Sequence, residues 1–278
     1  MESIDFFDFQ IHLYGVFYFV SFVIGYLFFY WIGKKGFFKK DKKFQRFLEK
    51  GLDDLALASI LGVLVGGRLG YVLFYDLGYF MENPLHIFFL WQGGMAFVGG
   101  VIGVILGFFY IKRKYSLNFS HLLLLGDLVL IIGTLGIFLG RIGNFLNQEL
   151  YGKPVKDLPF VLNINLLENV GLYYTYDRVD DKIRVNTNII EAILEGLVLF
   201  IAFLIIFFKK YVKNNFKPGF IVALFLIFYS IFRFFAEFLR DESMVDYVWI
   251  FTSSQWFMFL FFFSGLWIWI YLLKDLKK

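Results

Sequence analysis

Seven long apolar stretches, each near the length of a membrane-crossing helix, limit the folds open to this chain more than any other feature. They run over Tyr14–Ile32, Leu55–Tyr75, Ile87–Ile111, His121–Gly140, Ile189–Phe208, Gly219–Leu239 and Ser254–Leu273. About 20 apolar residues span the hydrocarbon core of a bilayer as a helix. With 59% hydrophobic and 23% aromatic residues, the chain is too apolar for a soluble domain. We predict an all-α membrane protein with seven transmembrane helices.

The distribution of basic residues predicts the orientation of these helices. Four connections on one side of a seven-span topology carry 18 of the 27 lysines and arginines. They are residues 33–50, 112–114, 209–217 and 274–278. Because basic connections favour the cytoplasm, we expect the N-terminus outside and the C-terminus in the cytoplasm.

One hydrophilic insert, Tyr151–Asn188, separates the fourth and fifth predicted helices and is external on this topology. Within it, Leu172–Tyr176 is rich in residues that favour strands. Asp177–Lys182 has the composition of a turn. We therefore expect a small external α/β head, placed between a segment of four helices over residues 1–150 and a segment of three helices over residues 189–278.

Charged and amide side chains gather where the fourth predicted helix ends, in the segment Gly140–Gly152, with the sequence GRIGNFLNQELYG. An arginine at hydrocarbon depth is expensive unless it is paired, so it marks a functional site by default. The flanking glycines would let a helix or a lipid headgroup approach the backbone closely.

Two further helices bring charges to the same outer half of the membrane. Glu191 and Glu195 are one turn apart in the fifth helix. Arg233, Glu237 and Arg240 have the spacing i, i+4, i+7 in the sixth, which predicts one shared helical face. A guanidinium group matches phosphate oxygens with two parallel hydrogen bonds. Arginines that converge at one depth therefore predict a clamp for a phospholipid headgroup.

Each of these features also has an interpretation without chemistry. Glycine pairs such as Gly66–Gly67 most often allow close packing of membrane helices. Arg233 and Glu237 could be a structural ion pair, and Arg68 could pair with Asp127 or reach the interface. A transporter of lipids or small anions with an arginine-lined cavity is a further alternative, but it predicts inverted repeats and interrupted helices, which the sequence does not show.

The segment Gly140–Gly152 closely resembles the hallmark segment of the prolipoprotein diacylglyceryl transferases, integral membrane enzymes of bacterial lipoprotein maturation. Other stretches are similar to motifs of the same family, namely His12–Gly15, Gly66–Tyr71, Trp91–Met95 and Phe232–Arg240. That family has seven transmembrane helices, an external N-terminus and an external head after the fourth helix, as expected here from the apolar stretches, the hydrophilic insert and the charges.

The resemblance implies a reaction and its residues. The diacylglyceryl group of phosphatidylglycerol would pass to the lipobox cysteine thiol of a preprolipoprotein, the first step of lipoprotein maturation. The implied catalytic residues are Arg141, Arg233, Tyr14 and Glu237. The implied lipid-binding residues are Arg141, Asn144, Asn147, Glu149, Gly152, Glu191, Arg240 and Arg68. Asn144 and Asn147 would position the headgroup, and Glu149, Glu191 and Glu237 would hold the arginines.

The same resemblance implies the setting. We expect a multi-pass protein of the bacterial plasma (inner) membrane with its active site toward the external half. It would act as a monomer on phosphatidylglycerol and a lipobox peptide among membrane lipids, with no nucleic acid, cofactor or metal. The chain has no cysteine, which excludes a thiolate nucleophile of its own.

Two positions depart from the family's pattern. The family usually has a histidine, a candidate base for the thiol proton, where Val98 stands, and His-Pro-Ser-Gln where this chain has Val185–Asn188. His86 could substitute, although an interfacial role is simpler. Two interpretations stay open. One is a transferase that uses Tyr14, a glutamate or water as its base. The other is a diverged paralogue that binds phospholipid but has lost or changed transfer.

Overall fold

The structure is a computed structural model that describes residues 3–6, 9–89, 93–158, 164–213 and 217–274. Its α-helices are α1 (Leu13–Lys35), α2 (Lys42–Lys50), α3 (Leu52–Phe74), α4 (Leu77–Glu82), α5 (Phe97–Lys114), α6 (Phe119–Leu146), α7 (Ile164–Asn169), α8 (Thr187–Glu191), α9 (Leu199–Ile206), α10 (Phe220–Ala236) and α11 (Ser253–Lys274). The strands are β1 (Ser3–Phe6), β2 (Phe9–His12), β3 (Tyr173–Thr175), β4 (Ile183–Val185), β5 (Tyr247–Val248) and β6 (Phe251–Thr252). They form the antiparallel pairs β1–β2, β3–β4 and β5–β6.

Among the described residues, six helices are long and apolar enough to cross a membrane. They cover residues 15–35, 52–74, 119–146, 187–211, 220–239 and 253–274. The segment 187–211 is continuous because π-helical turns at Ala192–Val198 and Phe207–Tyr211 flank α9. These six helices coincide with six of the seven predicted spans, so the chain is a helical, multi-pass membrane protein. The count of seven and the orientation of the termini stay predictions.

The remaining predicted span, the third in the chain (Ile87–Ile111), begins later than expected. The prediction began it at Ile87, whereas the structure has a 3-10 turn at Pro84–Phe88 and begins α5 at Phe97. Gly93 and Gly94 have φ of +81° and +78°, which no residue of a right-handed helix adopts. Trp91 and Gln92 lie outside the described residues. The prediction failed because apolar composition by itself does not reveal where the backbone leaves the helical region.

Helices α3 and α5 pack backbone to backbone. A Cβ added to Gly62 would lie 2.7 Å from the carbonyl carbon of Gly103, and one added to Gly70 would lie 2.7 Å from the Cα of Gly99. The contacts run in opposite order along the two helices, so the helices are antiparallel. The glycines of this pair of helices therefore serve close packing, as the interpretation without chemistry predicted.

The insert after α6 is a small unit of mixed structure. It contains a 3-10 turn at Val155–Asp157, then α7, and then the hairpin of β3 and β4. The hairpin confirms the strand and turn predicted from Leu172–Tyr176 and Asp177–Lys182. Its buried centre is formed by Val155, Tyr173 and Val185. The external position of this head stays a prediction.

The chain forms two compact units. One, which we call the core unit, comprises residues 1–25 and 126–278, and the second comprises residues 26–125. Helices α1 and α6 contribute to both. The core unit holds the Gly140–Gly152 segment, the head, α8 to α11 and all the charged residues of the outer half named above. The second unit holds Arg68, Val98 and the basic helix α2.

Candidate functional site

One buried carboxylate, that of Glu191, accepts hydrogen bonds or ionic contacts from three arginines. Arg141 Nε lies 2.9 Å from its Oε2, and Arg233 Nη1 lies 2.7 Å from its Oε1. Arg240 Nη2 donates to both oxygens, at 2.6 and 2.9 Å. Glu191 has no exposed surface. One acid thus contacts the arginines of α6 and α10 and the arginine of the segment that follows α10.

Two further glutamates complete this arginine–glutamate cluster, which consists of Arg141, Arg233, Arg240, Glu191, Glu195 and Glu237. Glu195 lies 3.5 Å from Arg141 Nη2 and 4.0 Å from Arg233 Nη1. Glu237 Oε2 lies 2.9 Å from Arg233 Nη2, and its Oε1 accepts a hydrogen bond from Thr252 Oγ1 at 3.1 Å. The cluster therefore balances three cations against three acids within the protein interior.

The sequence analysis assigned no role to Glu195 or to Thr252. Glu195 lies four residues after Glu191, and that spacing already placed it on the same helical face. Thr252 gave no signal, because it reaches Glu237 only through the β5–β6 hairpin. Glu149 was predicted to hold an arginine. In the structure its Oε1 instead accepts a hydrogen bond from Asn147 Nδ2 at 3.0 Å.

The position of Arg240 differs from the prediction. Arg233 and Glu237 are four residues apart at the end of the sixth span, as expected, but α10 ends at Ala236 and a 3-10 turn follows. Arg240 has extended backbone, with φ −75° and ψ 148°, and forms a β-bridge with Gly152. The predicted shared helical face is therefore wrong for Arg240. Its side chain reaches Glu191 because the chain leaves the helix.

The Gly140–Gly152 segment is half helix and half irregular chain. Helix α6 continues to Leu146, beyond the predicted end at Gly140, and carries Arg141 and Asn144 in its last two turns. Gln148 and Leu150 then adopt left-handed backbone, with φ of +57° and +56°. Such conformations cost free energy in residues other than glycine and are found often at functional sites.

The first turn of α8 holds this strained turn in place. Asn188 Nδ2 donates to the Glu149 carbonyl at 2.8 Å, and Thr187 Oγ1 donates to the Leu150 carbonyl at 2.9 Å. Asn186 caps α8 by accepting from the Ile189 N–H at 3.3 Å. These residues stand where the family usually has His-Pro-Ser-Gln. In this chain they connect the segment after α6 to the helix that carries Glu191.

Gly152 is a point of close backbone contact between the head and the chain after α10. Its N–H donates to the Val185 carbonyl at 3.1 Å, and the neighbouring Lys153 N–H donates to the Leu239 carbonyl at 2.9 Å. A Cβ on Gly152 would lie 2.5 Å from the Val185 oxygen and 2.8 Å from the Leu239 oxygen. The residue is therefore a packing requirement between the head and the segment that leads to Arg240.

A second arginine group fastens the head beside the cluster. Arg184 donates to both Asp180 oxygens at 3.1 and 2.7 Å, to Asp241 Oδ2 at 2.6 Å and to the Gly152 carbonyl at 3.1 Å. Its guanidinium carbon lies 4.7 Å from the centre of the Tyr151 ring. These hydrogen bonds from Arg184 hold the pKa of Asp180 well below its usual range. Sequence reasoning missed Arg184, because most of its partners are distant in the chain.

The remaining predicted residues lie as follows. Asn144 is buried in α6, and Asn147 lies in the turn after it. Tyr14 belongs to the first turn of α1, and its side chain lies outside what the structure describes. Val98 lies in the first turn of α5, 42% exposed.

Arg68, in the second unit, stabilises the backbone around it. Its guanidinium group donates to five backbone carbonyls, those of His86, Ile87, Phe89, Gly93 and Gly94, at 2.5 to 3.3 Å. Asp127, its suggested partner, accepts from the Tyr211 hydroxyl and the Gly219 and Val222 N–H groups. Each charge is therefore satisfied within its own unit. Arg68 fixes the chain before α5, and a lipid contact for it stays a prediction.

The described residues contain no group of three or more histidines, cysteines or acids that could hold a metal ion. The arginines of the cluster offer positively charged hydrogen-bond donors, and the glutamates fix the direction of these donors. Arg141 has the most exposed side chain of the three arginines, 14% against 10% for Arg233 and 6% for Arg240. It is therefore the arginine of the cluster with the most side-chain surface available to a bound group. Such an array can stabilise negative charge that develops on a phosphate.

Comparison with known proteins identifies relatives of this chain. The family model described as prolipoprotein diacylglyceryl transferase matches residues 2–271. A protein of Buchnera aphidicola (strain Tuc7), named phosphatidylglycerol–prolipoprotein diacylglyceryl transferase, is 36% identical over 80% of this chain and 78% of its own length. Proteins with the same name from Ehrlichia ruminantium (strain Welgevonden) and Legionella pneumophila (strain Paris) are 34% and 35% identical. They cover 90% and 94% of this chain, and 89% and 92% of their own lengths.

Proposed function

Because this chain belongs to the prolipoprotein diacylglyceryl transferase family, we propose that it transfers the diacylglyceryl group of phosphatidylglycerol to the cysteine thiol of a prolipoprotein. The relatives named above carry this activity in their names. The acceptor thiol belongs to the lipobox of a preprolipoprotein, and the reaction is the first step of bacterial lipoprotein maturation.

The observation that carries the proposal is the convergence of Arg141, Arg233 and Arg240 on Glu191. A phosphodiester carries one negative charge, and the phosphate gains a second when it leaves as a monoester. Preorganised donors aimed at that charge lower the barrier most in a site that excludes water. The acids fix the direction of the guanidinium groups, so no reorganisation is needed when charge develops.

The chemistry follows from this placement. The cysteine sulfur attacks the glycerol carbon that bears the phosphate, a C–S bond forms, and the C–O bond to the phosphate breaks. The thiol proton goes to a base or to water, and glycerol phosphate leaves. Arg141 contacts the departing phosphate, supported by Arg233. Asn144 and Asn147 lie on the α6 end and the turn after it, where they can orient the headgroup.

The group that accepts the thiol proton differs from the histidine that the family usually has. Val98 cannot accept a proton, so Tyr14, a glutamate of the site or water takes it. The setting is the bacterial inner membrane, with seven spans, the head and the active site on the external side, and a single chain as the active form. An alternative, a paralogue that binds the lipid without transfer, differs in giving no covalent product.

The deciding experiment measures a covalent product. Purified protein is incubated with radiolabelled phosphatidylglycerol and a lipobox peptide, and thioether-linked peptide is counted. We expect Arg141→Ala to abolish labelling, whereas Arg46→Ala, which removes an exposed arginine of α2, should leave it intact. Full labelling by Arg141→Ala would disprove the role of this arginine. Complementation of a strain depleted of its own transferase separates an enzyme from an inactive relative.

A further inference from the structure

The C-terminal end of α5 is fixed by a tight backbone cap. The Leu117 N–H donates to the Lys112 carbonyl at 2.8 Å, and the Ser116 N–H donates to the Arg113 carbonyl at 3.3 Å. Ser116 has left-handed backbone, with φ of +52°. This pattern closes the helix and holds the side chains of its last turn at defined positions.

Three basic residues end α5, and they are not equivalent. Lys114 forms an ion pair with Asp54 at 2.6 Å. The side chains of Lys112 and Arg113 form no hydrogen bond or ion pair with the described part of the chain. Basic residues at a helix C-terminus complement the helix dipole, and the positive-inside rule accounts for their presence at a membrane edge. Lys112 is half-buried and Arg113 is exposed, so both side chains are available to a group outside the protein.

The two unpaired cations line an open cavity at the protein surface. It has a volume of about 480 Å³ and is bounded by Phe109, Lys112, Arg113, Ser116 and Leu117. Leu117 is buried and Phe109 is half exposed, so one part of the wall is apolar. The other part offers an ammonium group, a guanidinium group and a hydroxyl, all of which donate hydrogen bonds.

An apolar stripe on α5 leads to this cavity. Ile102, Ile105, Leu106 and Phe109 are spaced by three, one and three residues, and each is between 47% and 63% exposed. Residues at this spacing share one face of a helix. A different face of α5 packs against α3 through Gly99 and Gly103, and α3 is long enough to cross a membrane. The exposed stripe therefore faces lipid chains.

We propose that this cavity binds the phosphate of an anionic glycerophospholipid, whose acyl chains lie along the α5 stripe. The unpaired cations and the Ser116 hydroxyl meet the phosphate, because an anion with several oxygens uses all three donors. The stripe distinguishes a lipid from free phosphate, which has no use for an apolar track. None of these residues belongs to the arginine–glutamate cluster, so this site is additional to the proposed transfer site and does not depend on it.

The test counts bound lipids. Purified protein is titrated with phosphatidylglycerol in detergent and analysed by native mass spectrometry, with phosphatidylcholine and inorganic phosphate as parallel probes. We expect Lys112→Gln/Arg113→Gln to weaken retention of one phosphatidylglycerol molecule roughly tenfold to thirtyfold. Lys114→Gln, which removes one positive charge from the paired residue of the same helix turn, should bind like the unmodified protein. Transferase activity, measured in parallel, should be unchanged in both variants.

A charge-preserving variant keeps the test decisive. Lys112→Arg/Arg113→Lys should retain the lipid, because both cations remain. Loss of the lipid in this variant as well would overturn the proposal, since the charge would not be the cause. Equal retention by the glutamine variant and the unmodified protein would also overturn it. So would equal retention of phosphatidylcholine, or displacement of the lipid by inorganic phosphate at the same concentration.

Discussion

Arg240 donates through one nitrogen to both carboxylate oxygens of Glu191, at 2.6 and 2.9 Å, although 49 residues separate them. The contact exists because Arg240 leaves the helix and pairs its backbone with Gly152. One ion pair thus joins three parts of the chain: the start of the fifth span, the end of the sixth and the turn after α6 that leads into the head. The first two predictions concern the two ends of this connection.

Replacing Glu191 by glutamine should remove both stability and activity. The change leaves three guanidinium groups, two of them buried, without their shared anion, which costs about 3–5 kcal/mol when a buried pair is broken. Thermal unfolding in detergent and the labelling assay measure the two effects. Glu242→Gln serves as the control, since Glu242 is 74% exposed and pairs with Lys153 at the surface. Normal stability of Glu191→Gln would show that the cluster does not bear on folding.

Two glycines of one motif should respond differently to alanine. Gly152→Ala places a methyl group 2.5 Å from one carbonyl oxygen and 2.8 Å from another, so it should separate the head from the segment that leads to Arg240. Gly140→Ala meets nothing within 4 Å and lies inside α6, where alanine is favoured. We expect loss of transfer and a lower unfolding temperature in the first variant, and neither in the second. Equal behaviour of the two would contradict the close contact.

The head should lose stability in acid. Hydrogen bonds from Arg184 hold the pKa of Asp180 below its unfolded value of about 3.9. A depressed carboxyl pKa contributes stability above the unfolded pKa, and that contribution disappears as the pH falls toward the folded one. Asp180→Asn should therefore be less stable than the unmodified protein at pH 7, with the difference shrinking below about pH 4. Thermal unfolding over a pH series measures it, and Asp177→Asn in the same turn is the control. A difference that does not change with pH would contradict the assignment.

Restoring the family's histidine at Val98 should be tolerated. The side chain is 42% exposed in the first turn of α5, so part of an imidazole at this position would extend away from the packed interior. We expect Val98→His to leave the rate of peptide labelling unchanged or to raise it, since histidine can take the thiol proton near neutral pH. Val98→Ala controls for the loss of the valine side chain. Complete loss of labelling in Val98→His alone would mean that the surroundings have been rebuilt around an apolar residue.

The sequence by itself determined the class of the protein and the residue types of its candidate site. Span length and apolar content are local properties, so six membrane-crossing helices could be predicted from runs of residues. The β3–β4 hairpin was equally local, because strand formers and turn residues alternate there. The arginines and glutamates stood out because such charges are costly in an apolar setting.

Only the tertiary structure decided which charges meet. Glu191 contacts three arginines and Glu149 contacts none of them. Arg240 lies outside the helix because its backbone pairs with that of Gly152. The start of α5 at Phe97 depended on two left-handed glycines and on Arg68, which holds the carbonyls around them. Contacts between residues 40 to 90 positions apart depend on how whole helices approach each other. Local propensity and hydrophobic pattern contain no information about that approach.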